Sequence, residues 1–149
     1  MLDAATKDLI ARHPLGFVAT VGADGAPSLA PKGTFLVLDD ARIAFGHIRS
    51  AGTVANIGRN PAVSVNFIDV FTRKGAEVKG RAEVLEGDAM AALLPKWRAV
   101  WGDLADRIKA VVVIEVGYVR PLTTPPYDDG ATEGEMIALY QSKFAEMYP

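Results

Sequence analysis

The residues best suited to chemistry cluster in one short stretch, where Arg49, Ser50 and Thr53 follow an apolar run and open a helical segment. A helix start presents unpaired backbone N–H groups and a partial positive charge, and an arginine adds two parallel, charge-assisted donors. That combination suits a phosphate. The paired glycines and lysine of a nucleotide P-loop are missing, so the expected guest is a cofactor carrying one terminal phosphate.

Other chemistries are poorly supplied. Cysteine is absent and only His13 and His47 are available, which excludes thiol nucleophiles and leaves no recognisable metal-ligand set. Ser28 and Ser64 have no histidine and carboxylate arrangement to activate them. His47 closes a strand and reads as a partly buried, hydrogen-bonded residue rather than a proton shuttle. Trp97 and Trp101, four apart with Leu93, read as packing. With 16 Lys+Arg against 18 Asp+Glu the formal charge is −2, so no broad basic field invites nucleic acid. No apolar run reaches membrane-spanning length and the first twenty residues lack a signal-like apolar stretch, so a cytoplasmic location is expected, with no nucleic acid or membrane as partner.

The elements that must position the Arg49 segment are mostly strands. The chain has 149 residues with 50% hydrophobic composition, enough for one domain with a core. A short helix over 3–12 lies across a barrel end and stops before His13-Pro14. Strand-like runs at 16–21 and 27–30 flank Asp24-Gly25, a hairpin signal. Runs at 34–38 and 42–45 repeat the pattern around Asp39-Asp40. A helix from Ser50 to about Arg59 follows, closed by Asn60 in a left-handed conformation and by Pro61. Further strands are expected at 62–67, at 76–85 with a bulge at Gly80, and at 109–119, where β-branched residues crowd. Pro95 is expected to split the segment between the last two into two short helices. Residues 121–126 are proline-rich and read as an extended arm that cannot continue a ladder and reaches a partner subunit. Thr132 and Glu135 form a capping-box pattern before an amphipathic C-terminal helix. Seven strand candidates without crossover helices favour a small antiparallel barrel.

In this order the pieces resemble the pyridoxamine-phosphate-oxidase-like FMN-binding split-barrel family. The matching segments are Gly16-Phe-Val-Ala-Thr-Val with Asp24-Gly25, residues 30–35, residues 48–57, Asn60-Pro-Ala-Val63, Arg73-Lys-Gly and residues 79–84. The resemblance implies a mainly β fold with short helices: a single-domain, six-stranded antiparallel split β-barrel over 1–149, with a C-terminal arm and helix from about 120. It also implies a homodimer with FMN at the subunit interface.

Carried over by position, Arg49, Ser50 and Thr53 hold the FMN phosphate, and Asn56 supports that loop or touches the ribityl chain. The backbone of Lys32, Gly33 and Thr34 passes along the isoalloxazine edge, where Lys32 brings positive charge that favours the reduced flavin. Lys74 and Lys79 are candidates to complete the site from either subunit. Two positions depart from the family pattern. Gly52 stands where a lysine is frequent, and the chain ends in Phe144-Ala-Glu-Met-Tyr-Pro149 rather than the tryptophan and Arg-Leu-x-Pro ending that grips the vitamin substrate, which argues against pyridoxamine oxidation. The favoured reading is an FMN-dependent oxidoreductase acting on a small molecule or electron acceptor, with NAD(P)H as a possible donor and no catalytic residue assigned. The alternatives are a non-catalytic flavin-binding, storage or sensing protein, and a deazaflavin (F420)-dependent reductase.

Overall fold

Alternation of side chains across a pleated strand explains most of the architecture. In β5 (Ala62–Asp69), Val63, Val65 and Phe67 are buried while Ala62 and Asn66 are exposed. A computed structural model describes residues 1–49 and 51–149. It contains the strands β1 (Gly16–Val21), β2 (Pro27–Lys32), β3 (Phe35–Val37), β4 (Arg42–His47), β5, β6 (Lys74–Leu85) and β7 (Ala110–Leu122). All pairings are antiparallel, and they form one sheet in the order β2-β1-β5-β6-β7-β4-β3. The seven strands are the seven read from sequence, one more than the resemblance implied, and the split-barrel class stands.

The sheet curls until its two ends meet. Phe35 on edge strand β3 packs edge-on against Phe67 of β5 with centroids 4.9 Å apart, and its backbone N–H donates to the Pro14 carbonyl. Gly16 makes the closure possible, because a Cβ there would lie 2.6 Å from the Phe35 ring. The bend that β6 and β7 need comes at the expected place, where the register shifts between Lys79 and Gly80. A Cβ on Gly80 would lie 2.1 Å from the Glu115 carbonyl oxygen, so the bulge requires glycine.

Two apolar clusters result. One fills the barrel with Val18, Phe35, Ile43, Phe45, Val65, Phe67, Val78 and Ile114. The helix α1 (Ala4–Arg12), N-capped by Asp3, adds Ile10 from one end, and α2 (Ala51–Arg59) adds Ile57. The second cluster lies outside the barrel, where α3 (Gly87–Trp101) covers β4 and β7 with Trp97 at its centre. A 3-10 helix, Gly102–Arg107, follows. The last helix, α4 (Glu133–Met147), begins with Thr132 accepting from the Glu135 N–H, as the capping pattern foretold. Among the described residues no helix is long and apolar enough to cross a membrane.

Three local expectations fail for identifiable reasons. Pro95 does not split α3, which runs 15 residues through it. Pro95 and Ala91, whose carbonyl the proline leaves without its helical partner, are exposed, so water can replace the lost N–H. Leu93, Leu94 and the buried Trp97 pack on the apolar cluster and hold the helix in place. Asn60 keeps a negative φ, and its side chain instead accepts from the Ala62 N–H at 3.0 Å. Residues 121–126 are not an extended arm: Pro121 sits in the ladder opposite Ala76, and Pro125–Asp129 form a 3-10 helix. Beyond Val116 no strand among the described residues pairs with the other side of β7, so a missing N–H breaks no ladder bond there. Tyr127 then donates to the Thr72 carbonyl of its own chain, folding this segment back on the β5–β6 turn.

Candidate functional site

The open end of the barrel where β2 and β4 finish gathers the basic side chains. Inward-facing positions on β4 are Ile43, Phe45 and His47, so the alternation that fills the core also carries His47 inside at the strand's end. Lys32, the last residue of β2, is only 7% exposed. Its ammonium lies 5.8 Å from the centre of the Phe45 ring and donates to the Arg49 carbonyl oxygen at 3.3 Å. Among the described residues no carboxylate pairs with it. Burial lowers the Lys32 pKa. The His47 pKa is lowered by burial and then by the charges of Lys32 and Lys109, which keeps the imidazole neutral near pH 7. Its Nδ1 is buried with no hydrogen-bond partner among the described residues.

The segment after β2 is held from two sides. Thr34 Oγ1 donates to the Gly46 carbonyl at 3.1 Å and accepts from the Gly46 N–H at 3.0 Å. The Thr34 carbonyl accepts from the Trp97 indole at 2.9 Å. Gly33, between Lys32 and Thr34, is different: a Cβ there would meet nothing within 4 Å, as would one on Gly52 in the first turn of α2. Rigid flanks thus border open space beside a buried cation.

The expected phosphate ligands are partly assembled. Arg49 is exposed and stands just before α2, whose first turn contains the buried Thr53. Ser50 lies outside the described residues. Asn56, one turn beyond Thr53, is buried; its amide donates to Thr20 Oγ1 at 3.0 Å and its oxygen accepts from Arg59 at 2.7 Å. Its side chain therefore anchors α2 to β1.

Lys32, Gly33, Thr34, Arg49 and Thr53 come together, but the two later lysines do not join them within one chain. Lys79 is exposed on the outer face of β6, 3.5 Å from Glu77 and 5.4 Å from the Tyr118 ring centre. Lys74 begins β6, whereas β4 and the Arg49 turn lie beside its far end. The 12-residue strand separates them by roughly 35 Å of backbone path. There Lys74 pairs with Glu133 at 3.0 Å and lies over the Tyr127 ring, beside a groove of about 360 Å³ between α1 and α4.

His47 and Trp97 were read as structural residues. Trp97 is one, although it fixes a segment of the site. The parity of 43, 45 and 47 signalled that His47 is internal, and the β3–β4 hairpin brings it beside Lys32: Phe35 pairs with Phe45 and Thr34 bonds Gly46, so the next step of that register sets Gly33 opposite His47.

The sequence pattern of the pyridoxamine 5'-phosphate oxidase family matches residues 2–123. The solved structure of HupZ from Group A Streptococcus is similar at 30% identity, covering 83% of this chain and 96% of that one, with a TM-score of 0.72. A Lactobacillus delbrueckii protein named as a candidate pyridoxamine 5'-phosphate oxidase is 28% identical over 80% of this chain and 93% of its own, with a TM-score of 0.67. An FMN-binding protein from Syntrophomonas wolfei, 14% identical over 80% of this chain and 85% of its own, has a TM-score of 0.67 and shares the fold.

Proposed function

Because this chain belongs to the pyridoxamine 5'-phosphate oxidase family, we propose that it is a flavoprotein that binds FMN at a homodimer interface and acts as an oxidoreductase. The observation that carries this reading is the buried Lys32 ammonium, which touches the Arg49 turn and has no carboxylate partner among the described residues. Burying a cation without a counter-charge is unfavourable unless a ligand supplies one. Open space at Gly33 and Gly52 and the unpartnered His47 Nδ1 fit a flat, phosphate-bearing guest.

In this proposal Arg49, Ser50 and Thr53 hold the phosphate and the α2 start contributes its N–H groups, while the Lys32 ammonium, expected at the ring edge, is assigned to the phosphate instead because it donates to the Arg49 carbonyl. The Gly33–Thr34 backbone borders the ring, kept in place by the Trp97 and Gly46 hydrogen bonds. Asn56 acts behind them by fixing α2 to β1. FMN bound there supplies hydride or single-electron transfer, and the protein supplies orientation and electrostatic tuning.

The dimer rests on a different surface. Phe17, Leu29 and Tyr118 are 40%, 69% and 46% exposed on the outer face of the sheet. A groove there runs over Phe17, Ala19, Leu29, Ser64, Asn66 and Ile68. An exposed apolar patch of this kind suits a second copy of the chain. Lys79 lies on the same outer face, and Lys74 at the end of its strand, so both remain in the proposal as contributions across the interface.

The test is a diode-array spectrum of the purified protein followed by titration with FMN. Saturable binding with a flavin spectrum is the expected result. Protein that is colourless and gains no flavin absorbance removes the proposal, and preferential binding of the deazaflavin in competition replaces it with the reductase alternative.

A further inference from the structure

Resting on the cofactor reading above, we propose that His47 is a proton-linked ligand of the phosphomonoester: it takes up a proton from solvent when the anion enters beside Lys32 and the Arg49 turn. His47 is nine-tenths buried, yet its Nδ1 meets no partner among the described residues. A neutral imidazole has one donor and one acceptor, whereas the protonated ring has two donors and suits an anion.

The charges around the ring decide which form is present. Lys32 reaches it from the end of β2 and Lys109 from the start of β7, both opposing a further positive charge. Glu86, at the start of α3, acts weakly in the other direction, and the backbone of Arg49 offers a hydrogen bond. Without a guest the cluster holds cations with little to balance them, and burial adds to the cost of charging the ring. A phosphomonoester reverses the balance, since a third cation then faces a negative charge in a site screened from water. Proton uptake and anion binding therefore reinforce each other.

The linkage predicts that the affinity for FMN rises as pH falls from 8 to 6, by up to about tenfold for each unit that the anion raises the imidazole pKa. Calorimetric titration of the protein with FMN at pH 6.5, in two buffers of different ionisation enthalpy, counts the protons exchanged. The phosphate itself titrates near pH 6, at about its second pKa, but this contribution is common to wild type and His47→Gln and cancels in their difference. Wild type taking up more protons than His47→Gln supports the proposal. In parallel, ¹⁵N-edited spectra of wild type alone follow the His47 ring, and the expected result is protonation of both nitrogens on adding FMN at pH 7. Equal proton counts in the two proteins, or a ring that stays neutral in the complex, overturn the role of His47 while leaving the cofactor reading intact. Failure of FMN to bind wild type at all overturns both.

Discussion

Trp97 donates its fully buried indole N–H to the carbonyl oxygen of Thr34 at 2.9 Å, so a helix outside the barrel fixes the backbone that follows Lys32 and Gly33. Trp97→Phe keeps most of the apolar volume but leaves that carbonyl without its donor. Loss of such a buried bond costs about 1–3 kcal/mol, read as a lower urea midpoint. FMN affinity should fall as well, because the Gly33–Thr34 backbone loses one of its two anchors. An unchanged midpoint would mean that α3 packs without regard to this bond.

Arg49 is exposed and makes no side-chain hydrogen bond or ion pair among the described residues, so removing it should leave folding nearly untouched. A charge-assisted contact to phosphate is worth about 1.5–3 kcal/mol. Arg49→Ala should therefore weaken FMN binding by about tenfold or more, measured by fluorescence titration, with the unfolding midpoint within error of wild type. Equal affinity for the two proteins would place the phosphate elsewhere.

Leu29 is 69% exposed on the outer face of β2, a position where an isolated subunit tolerates a charge. In a dimer built on that face, Leu29→Asp places an unpaired carboxylate against apolar surface, and burial of a lone charge is strongly unfavourable. Sedimentation velocity at low micromolar concentration should give a dimer for wild type and a monomer for the variant, with FMN affinity reduced alongside. A variant that sediments as wild type would move the interface off this face.

Much of the fold is legible because strand alternation is a local property. Val63, Val65 and Phe67 announce the inner face of β5, Gly80 announces the bulge, and Thr132 with Glu135 announces α4. The readings that failed turn on what lies beside the residue. Pro95 survives in a helix because Ala91, whose carbonyl it frees, is exposed while Leu93, Leu94 and Trp97 hold the helix to the sheet. Pro121 stays in a ladder because no strand among the described residues pairs with the other side of β7 there. The site is legible only in part for the same reason. Arg49 and Thr53 share one segment and are read together, and Lys32 meets His47 one step past the β3–β4 hairpin register set by Phe35–Phe45 and Thr34–Gly46. The bond from Trp97 to the Thr34 carbonyl joins residues 63 apart, and no spacing encodes it.

At the opposite end of the barrel a buried carboxylate ties the stability of the fold to pH. Asp69, 8% exposed at the close of β5, accepts from the Phe71 N–H at 2.9 Å and the Thr72 N–H at 3.2 Å, and its other oxygen lies 3.5 Å from His13. Burial by itself acts to raise its pKa, but the two backbone donors and His13 outweigh it, and the carboxyl ends below its ordinary 3.8. A group depressed in the folded state stabilises the protein above its unfolded pKa, and that contribution is lost as pH falls through the folded value. Wild type should therefore lose stability from about pH 4 downward, because protonation there removes the negative charge that strengthens both turn N–H bonds. Asp69→Asn, which carries no ionisable group, should be less stable than wild type at pH 6, and the gap between them should narrow by pH 3. Urea unfolding at the two pH values measures this difference directly. Parallel losses in both proteins would show that another carboxylate governs acid unfolding and that the turn tolerates a neutral Asp69.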